Sequence, residues 1–249
     1  FSDAALANLK DLKKLERLHV MLVSPVGLKL TDEGLSHVRE LTSLKSLTYG
    51  DARVSDVGLR HLEGLSNLES LSISCTDATD EGLQSLGKLD GLKMLTLYNN
   101  DSITGEGLQA IKRPELLFLL VIYFVTDDGM RTITRFSNLK ILHIGGPHLT
   151  MDGLSQLRVF ENLEYLNIRD IQLDIRSLER IVSQLPKLRE LCVTRCRFQE
   201  EESKVFQGLR RKGVTVTIEP WKPAPDRVPG PGLPEWPEPE PPGVELHRL

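Results

Sequence analysis

The chain has 249 residues, 40% of them hydrophobic and only 5% aromatic, so leucine, isoleucine and valine must fill its core in small, similar layers. Its 31 basic and 35 acidic residues leave a formal charge of −4, without the positive field that would draw in nucleic acid or an anionic membrane. The apolar run from Leu116 to Val125 is too short to cross a bilayer, and Cys75, Cys192 and Cys196 lack the spacing of a disulfide framework, which points to a reducing, cytoplasmic setting.

In chain order the first element is a helix start, Ser2-Asp3-Ala4-Ala5-Leu6, and its pattern of hydroxyl residue, short acidic turn, glycine and leucine then recurs. It reads Thr31-Asp32-Glu33-Gly34-Leu35, Ser55-Asp56-Val57-Gly58-Leu59, Thr79-Asp80-Glu81-Gly82-Leu83 and Thr126-Asp127-Asp128-Gly129-Met130. Weaker copies run from Thr104 to Leu108, Thr150 to Leu154 and Asp174 to Leu178. The steps from anchor leucine to anchor leucine are 29, 24, 24, 25, 22, 24 and 24 residues, a period of 24 with local defects. In each anchor the Thr or Ser is placed to cap a helix and the acid to complement the helix dipole. Apolar residues three apart, as at Leu35, Val38 and Leu41, then form one helical face.

Ahead of the anchors lie segments with apolar residues at positions one, four and six, as in Leu44, Leu47, Tyr49 and Leu68, Leu71, Ile73. The register continues with Leu92, Leu95, Leu97, then Leu139, Leu142, Ile144, then Leu163, Leu166, Ile168 and Leu188, Leu191, Val193. The last two positions alternate, which marks a strand with one buried face. One unit is therefore a strand, a turn and a short helix, and only the next unit can cover its buried face.

Strand leucines followed by Thr/Ser, Asp, any residue, Gly and Leu resemble the leucine-rich-repeat family. They look most like the "TDxGL" subclass of F-box-associated receptors and many bacterial proteins, the cysteine-containing-like repeats. The resemblance covers about Phe1 to Ile218. It implies an α/β leucine-rich-repeat solenoid over residues 1–219, a horseshoe with a parallel sheet on its concave face and short helices on its convex face. It also implies a non-catalytic scaffold whose partner is another protein and which needs no cofactor. The alternative is the substrate-recognition portion of a larger enzyme, such as an F-box-type ubiquitin ligase. The departures are the insertion between Val20 and Thr31, the acid lost at Gly105 and Met151, the short repeat around Tyr123 and the degenerate copy at Asp174. A first unit that starts on a helix, with no strand before it, leads one to expect further repeats or a domain upstream.

Toward the end, Gln199 to Lys212 reads as a longer helix with Val205, Phe206 and Leu209 on one face, and Val214 to Ile218 as a final strand. Residues 220–249 form a proline-rich tail, with ten of the 14 prolines between Pro220 and Pro242 and both tryptophans, Trp221 and Trp236. Such a segment is extended and partly ordered. It reads as a linker or a strap over the last strand, or as a ligand for an SH3-like or WW-like partner through Pro231-Gly232-Leu233-Pro234.

Residues beside the buried leucines point to the concave side. In the early strands these are small and polar, as Ser70, Ser72 and Ser74. In the fourth to seventh, Met94, Tyr98, Phe118, Leu120, Ile122, Ile141 and Tyr165 form an apolar patch with His143, Asn167 and Arg169 beside it, the candidate partner-binding surface. A one-residue slip of the strand at Leu116 to Val121 would exchange its two faces, and the tail folding back would cover the patch. His143 and Cys192 share a concave row two strands apart, about 10 Å at ~4.8 Å per strand, which is too far to share one zinc ion. Cys196 falls at a turn position that suits a buried hydrogen-bonding residue, and no catalytic motif is present.

Overall fold

Apolar side chains at the fourth and sixth positions of every repeat stack, strand on strand, into continuous ladders, and the sheet follows from that stacking. The computed structural model describes residues 3–20, 30–50, 52–74, 77–98, 100–197 and 206–220. Among these residues nine parallel strands form one open sheet, and all but the last belong to successive repeats. They are β1 (Arg17–Val20), β3 (Ser46–Tyr49), β5 (Ser70–Ser74), β6 (Met94–Tyr98), β7 (Leu119–Ile122), β8 (Ile141–Gly145), β9 (Tyr165–Arg169), β10 (Glu190–Cys196) and β11 (Thr215–Pro220). A minor pair, β2 (Leu30–Thr31) and β4 (Ala52–Arg53), lies outside this sheet. Strand order equals chain order, so each connection passes over the same sheet face and carries its helix there. The chain is thus an α/β leucine-rich-repeat solenoid with an open parallel sheet.

The core is one leucine-rich column. Leu47, Leu71, Leu95, Leu120, Leu142, Leu166 and Leu191 stand in register across seven strands, each no more than 1% exposed. The anchor residues Leu35, Leu59, Leu83, Leu108, Met130, Leu154 and Leu178 close it from the helical side. Because each layer is covered only by its neighbours, the chain stands or falls by contacts between adjacent repeats.

The helical side is made of short pieces: α1 (Asp3–Ala7), α2 (Asp32–Val38), α3 (Asp56–Arg60), α4 (Asp127–Ile133), α5 (Met151–Leu154), α6 (Ile175–Val182) and α7 (Gln207–Arg211), with 3-10 turns at Gly82–Lys88 and Glu106–Ala110. Thr31, Ser55, Thr126 and Thr150 cap their helices as the sequence leads one to expect, whereas Glu81 and Gly105, directly ahead of the two 3-10 turns, make no side-chain cap. Thr31 Oγ1 accepts from Glu33 N–H at 3.2 Å, Ser55 Oγ from Val57 N–H at 3.2 Å and Thr126 Oγ1 from Gly129 N–H at 3.0 Å.

The acids do more than complement a dipole. Each turns toward the following repeat and accepts both the N–H and the hydroxyl of that repeat's cap. Asp3 holds Thr31 (3.1 and 2.7 Å), Asp32 holds Ser55 (2.8 and 2.7 Å), Asp56 holds Thr79 (2.8 and 3.0 Å), and Asp80 holds Thr104 (2.8 and 2.6 Å). Asp127 repeats the clamp on Thr150 at 2.9 and 2.7 Å. The anchor glycine is required by the same clamp, since a Cβ on Gly58, Gly82 or Gly153 would overlap the incoming carboxylate of Asp32, Asp56 or Asp127. Where Gly105 replaces the acid, the Thr126 N–H donates instead to the Thr104 carbonyl at 3.2 Å. Met151 offers no carboxylate to the next cap, and that cap, Asp174, accepts from Arg176 N–H within its own helix.

Two sequence expectations need correction. The strand after Leu116 is set one residue away from the outward reading: Leu119 pairs with Met94 and Ile141, and Leu120 with Leu95 and Leu142. Leu120 and Ile122, expected on the concave face, are therefore core residues with 0% exposure. The reason is a distance of nine residues from anchor to first strand leucine in every repeat but the last, where Leu178 to Leu188 is ten: it is nine in Leu83 to Leu92 and Met130 to Leu139, and so in Leu108 to Leu117. The short repeat loses its residues after the strand, not before it: Ile122 to Met130 is eight residues where Ile144 to Leu154 is ten. Phe124 takes up the shortened turn at φ 64°, in the left-handed region.

The second correction concerns the helix expected over Gln199 to Lys212. Within the described residues it runs over Gln207–Arg211, and buried Phe206 ahead of it adopts a left-handed φ of 58°, so no single helix continues through that position. Residues 199–205, the insertion at 21–29, Cys75, Thr76 and the tail from Trp221 lie outside the described residues. The final strand is present as β11.

Candidate protein-binding face

Alternation along each strand sends three side chains outward, and parallel register aligns them into three rows. The first row runs Ser46, Ser70, Met94, Leu119, Ile141, Tyr165, Glu190, and turns from polar to apolar at β6. The second runs Thr48, Ser72, Thr96, Val121, His143, Asn167, Cys192. The third lies at the C-terminal ends of the strands and holds Ser74, Tyr98, Tyr123, Gly145, Arg169 and Thr194.

That third row carries the densest chemistry. Tyr98 and Tyr123 have ring centroids 5.8 Å apart with planes tilted by 41°, and the Arg169 guanidinium carbon lies 4.7 Å from the Tyr123 centroid. Such a cation–π pair contributes about 0.5–2 kcal/mol, more as the site is desolvated. Arg169 must cross β8 to reach Tyr123, and Gly145 leaves the path open: a Cβ there would stand 2.8 Å from Arg169 Cγ. The guanidinium also meets Asp170 at 2.9 Å, and the same carboxylate meets Arg195 at 3.0 Å. Burial pushes the Tyr123 hydroxyl up to about 12, partly offset by Arg169, so it stays protonated at neutral pH.

One row down, the His143 imidazole stacks on Tyr165 with centroids 5.0 Å apart and planes 22° from parallel. Tyr165 donates its hydroxyl to Cys192 Sγ at 3.3 Å. Burial first, then the positive charge of Arg169, brings the His143 pKa down to about 4, so the ring is neutral at pH 7. Asn167 Oδ1 is enclosed here without a hydrogen-bond partner. Cys196, expected at a turn, is the last residue of β10; it is 2% exposed and reaches the Ile168 carbonyl at 3.5 Å, and burial raises its thiol to about 12.

Met94, Tyr98, Ile141, His143, Tyr165, Asn167 and Arg169 all stand in the outward rows, where the sequence places them. Phe118 does not: it sits half-buried at the N-terminal edge, its N–H donating to the Lys93 carbonyl at 3.0 Å. The outward residues of β7 and its end are Leu119, Val121 and Tyr123, which the alternation alone had missed and the nine-residue spacing identifies.

No family model matches the chain, and no curated protein matches it. Among solved structures it is similar to an internalin C2 (inlC2) from Listeria monocytogenes, at a TM-score of 0.60 and 20% identity, over 86% of this chain and 92% of that one. It is also similar to an internalin (inlF) from the same organism, at a TM-score of 0.61 and 19% identity, over 85% of this chain. The chain spans 63% of the length of that inlF structure. Both are leucine-rich-repeat proteins, and the likeness is one of fold.

Proposed function

We propose that this solenoid is a non-catalytic protein-binding scaffold that receives its partner on the concave face between β6 and β9. The observation that carries the reading is the Tyr98–Tyr123–Arg169 row, where two aromatic rings and a guanidinium pack side by side on a face that is otherwise serine and threonine toward β3 and β5. Tyrosine and arginine are, with tryptophan, the residues enriched among the anchors of protein interfaces. The repeats are assigned to the "TDxGL" subclass, a reading supported by the acid–hydroxyl–glycine clamp, which gives each letter of that motif a physical task. A reducing, cytoplasmic setting belongs to the same proposal and rests on cysteine usage alone.

The test is capture of partners by the full chain, followed by calorimetry with the recovered partner. Tyr98→Ala and Tyr165→Ala should each weaken binding by about 2 kcal/mol or more, and Ser72→Ala by less than about 0.5 kcal/mol. Equal binding by all three variants moves the site off the concave face.

A further inference from the structure

Among the outward residues of β6 to β9 and Tyr123, Arg169 is the only one carrying a formal charge, and the carboxylate beside it, Asp170, is divided with Arg195. The matching occupant therefore carries anions next to apolar rings. The same chain holds such a segment. Between Val228 and His247 there are four glutamates, Glu235, Glu238, Glu240 and Glu245, and no lysine or arginine, and Trp236 lies among them.

Topology delivers that segment to the right edge. Every strand of the sheet is parallel, so β11 ends on the edge that carries Tyr98, Tyr123 and Arg169. In register, Arg169 pairs with Thr194 and Thr194 with Glu219, one residue before β11 ends at Pro220. From β11 to β7 is four strand spacings, about 19 Å at ~4.8 Å each. Trp236 stands 16 residues beyond Pro220. A flexible chain of that length has an end-to-end distance of about 20–24 Å, and a fully polyproline one about 50 Å, so the required span falls within reach. A tether of matching length presents its end at roughly millimolar effective concentration, enough to populate a contact that would be weak between separate molecules.

We propose that the segment Pro234 to Glu240 occupies the concave face of its own chain, with Trp236 against the Tyr98–Tyr123 rings and its glutamates toward Arg169. A partner then binds by displacing it. This rests on the reading of the face as a binding surface, with the tail as its resident competitor.

Both tryptophans lie in the tail, so the full-length Trp221→Phe chain reports on Trp236 alone. Its emission should be shifted to the blue of the free peptide Pro231–Pro242, and acrylamide should quench it about half as strongly, as for a contact occupied about half the time. Neither value should change on dilution. Arg169→Gln, or the triple variant E235Q/E238Q/E240Q, which leaves every described residue unchanged, should return both values to those of the peptide, and so should ~1 M salt, where the screening length is about 3 Å.

A Trp236 as hydrated as in the peptide overturns the inference. So does shielding that survives both the arginine and the glutamate variants, because Trp236 then lies elsewhere, and shielding lost on dilution, because a second copy then supplies it. If Trp236 is hydrated while Tyr98→Ala still weakens partner binding, the tail proposal falls and the binding-face reading stands.

Discussion

Asp32 and Ser55 are separated by 23 residues and joined twice, one carboxylate oxygen accepting the Ser55 N–H at 2.8 Å and the other its hydroxyl at 2.7 Å. The serine oxygen meanwhile accepts from Val57 N–H at 3.2 Å, so one hydroxyl both caps its own helix and ties it to the preceding repeat. Charge-assisted bonds of this kind are roughly twice as strong as neutral ones. Their repetition makes the convex side a chain of clamps parallel to the leucine ladder.

The clamp predicts a stability cost larger than a simple cap. Thr79→Ala removes the bond to Asp56 as well as the one from Glu81 N–H, and should cost about 1.5–3 kcal/mol, where loss of a cap alone costs about 1 kcal/mol. Asp56→Ala should cost a similar amount, and the double variant less than the sum of the two, because both lose the same interaction. Urea denaturation of the four proteins measures the coupling. A strictly additive pair would show that the carboxylate and the hydroxyl act independently.

Register in β7 predicts opposite outcomes at neighbouring leucines. Leu120 is 0% exposed and in line with Leu95 and Leu142, whereas Leu119 faces outward and is half-buried. Leu120→Ala should destabilise by about 2–5 kcal/mol, and Leu119→Ala by about 1 kcal/mol or less. Equilibrium denaturation decides it, and the reverse order would mean that the strand is set as strict alternation from Phe118 suggests.

The repeat and its helix caps were legible because Thr31, Ser55 and Thr126 each precede a glycine and an apolar anchor at fixed distance, a pattern that local chemistry alone dictates. The inward face of β7 was not legible from alternation, since Leu116 to Val125 offers no polar residue to mark a side. Nor were the partners of Asp32 and Arg169. The acid was read for its effect on its own helix, but its ligands come from the next repeat. Likewise, Arg169 reaches Tyr123 only because Gly145, two dozen residues earlier, leaves β8 bare. Contacts between repeats depend on stacking, which no single repeat encodes.

The buried imidazole of His143 predicts acid sensitivity. In the unfolded chain it titrates near 6.5, and in the fold near 4, where burial and then Arg169 oppose its charge. The unfolded state therefore takes up a proton first as pH falls, so stability is lost from about pH 6.5 downward, and the loss is complete below about pH 4. The shift corresponds to about 3 kcal/mol at ~1.36 kcal/mol per unit. His143→Phe keeps an aromatic ring against Tyr165 and removes the titration. The wild-type chain should thus lose about 3 kcal/mol relative to this variant between pH 7 and pH 4, measured by urea denaturation at each pH. Parallel pH profiles for the two proteins would place His143 in contact with water.

Arg169 predicts how the face recognises its partner. Its guanidinium is flat against Tyr123, with its centre 4.7 Å from the ring centroid, while the same group meets Asp170 at 2.9 Å. A lysine ammonium keeps the charge but neither stacks as a plane nor presents a fork to a carboxylate. If the partner is held by charge alone, Arg169→Lys should bind as the parent does and Arg169→Gln should not. If the packed row of ring and guanidinium is the anchor, both variants should lose about 2 kcal/mol, and Tyr123→Phe, which keeps the ring, should lose less than about 0.5 kcal/mol. The second outcome is expected, because Arg169 is shielded within the row and its reach across Gly145 fixes its geometry. Calorimetry with the captured partner at two ionic strengths, on the E235Q/E238Q/E240Q chain so that no salt-sensitive tail contact competes, separates the cases: a charge-only contact weakens with salt, and a stacked, partly desolvated one changes little.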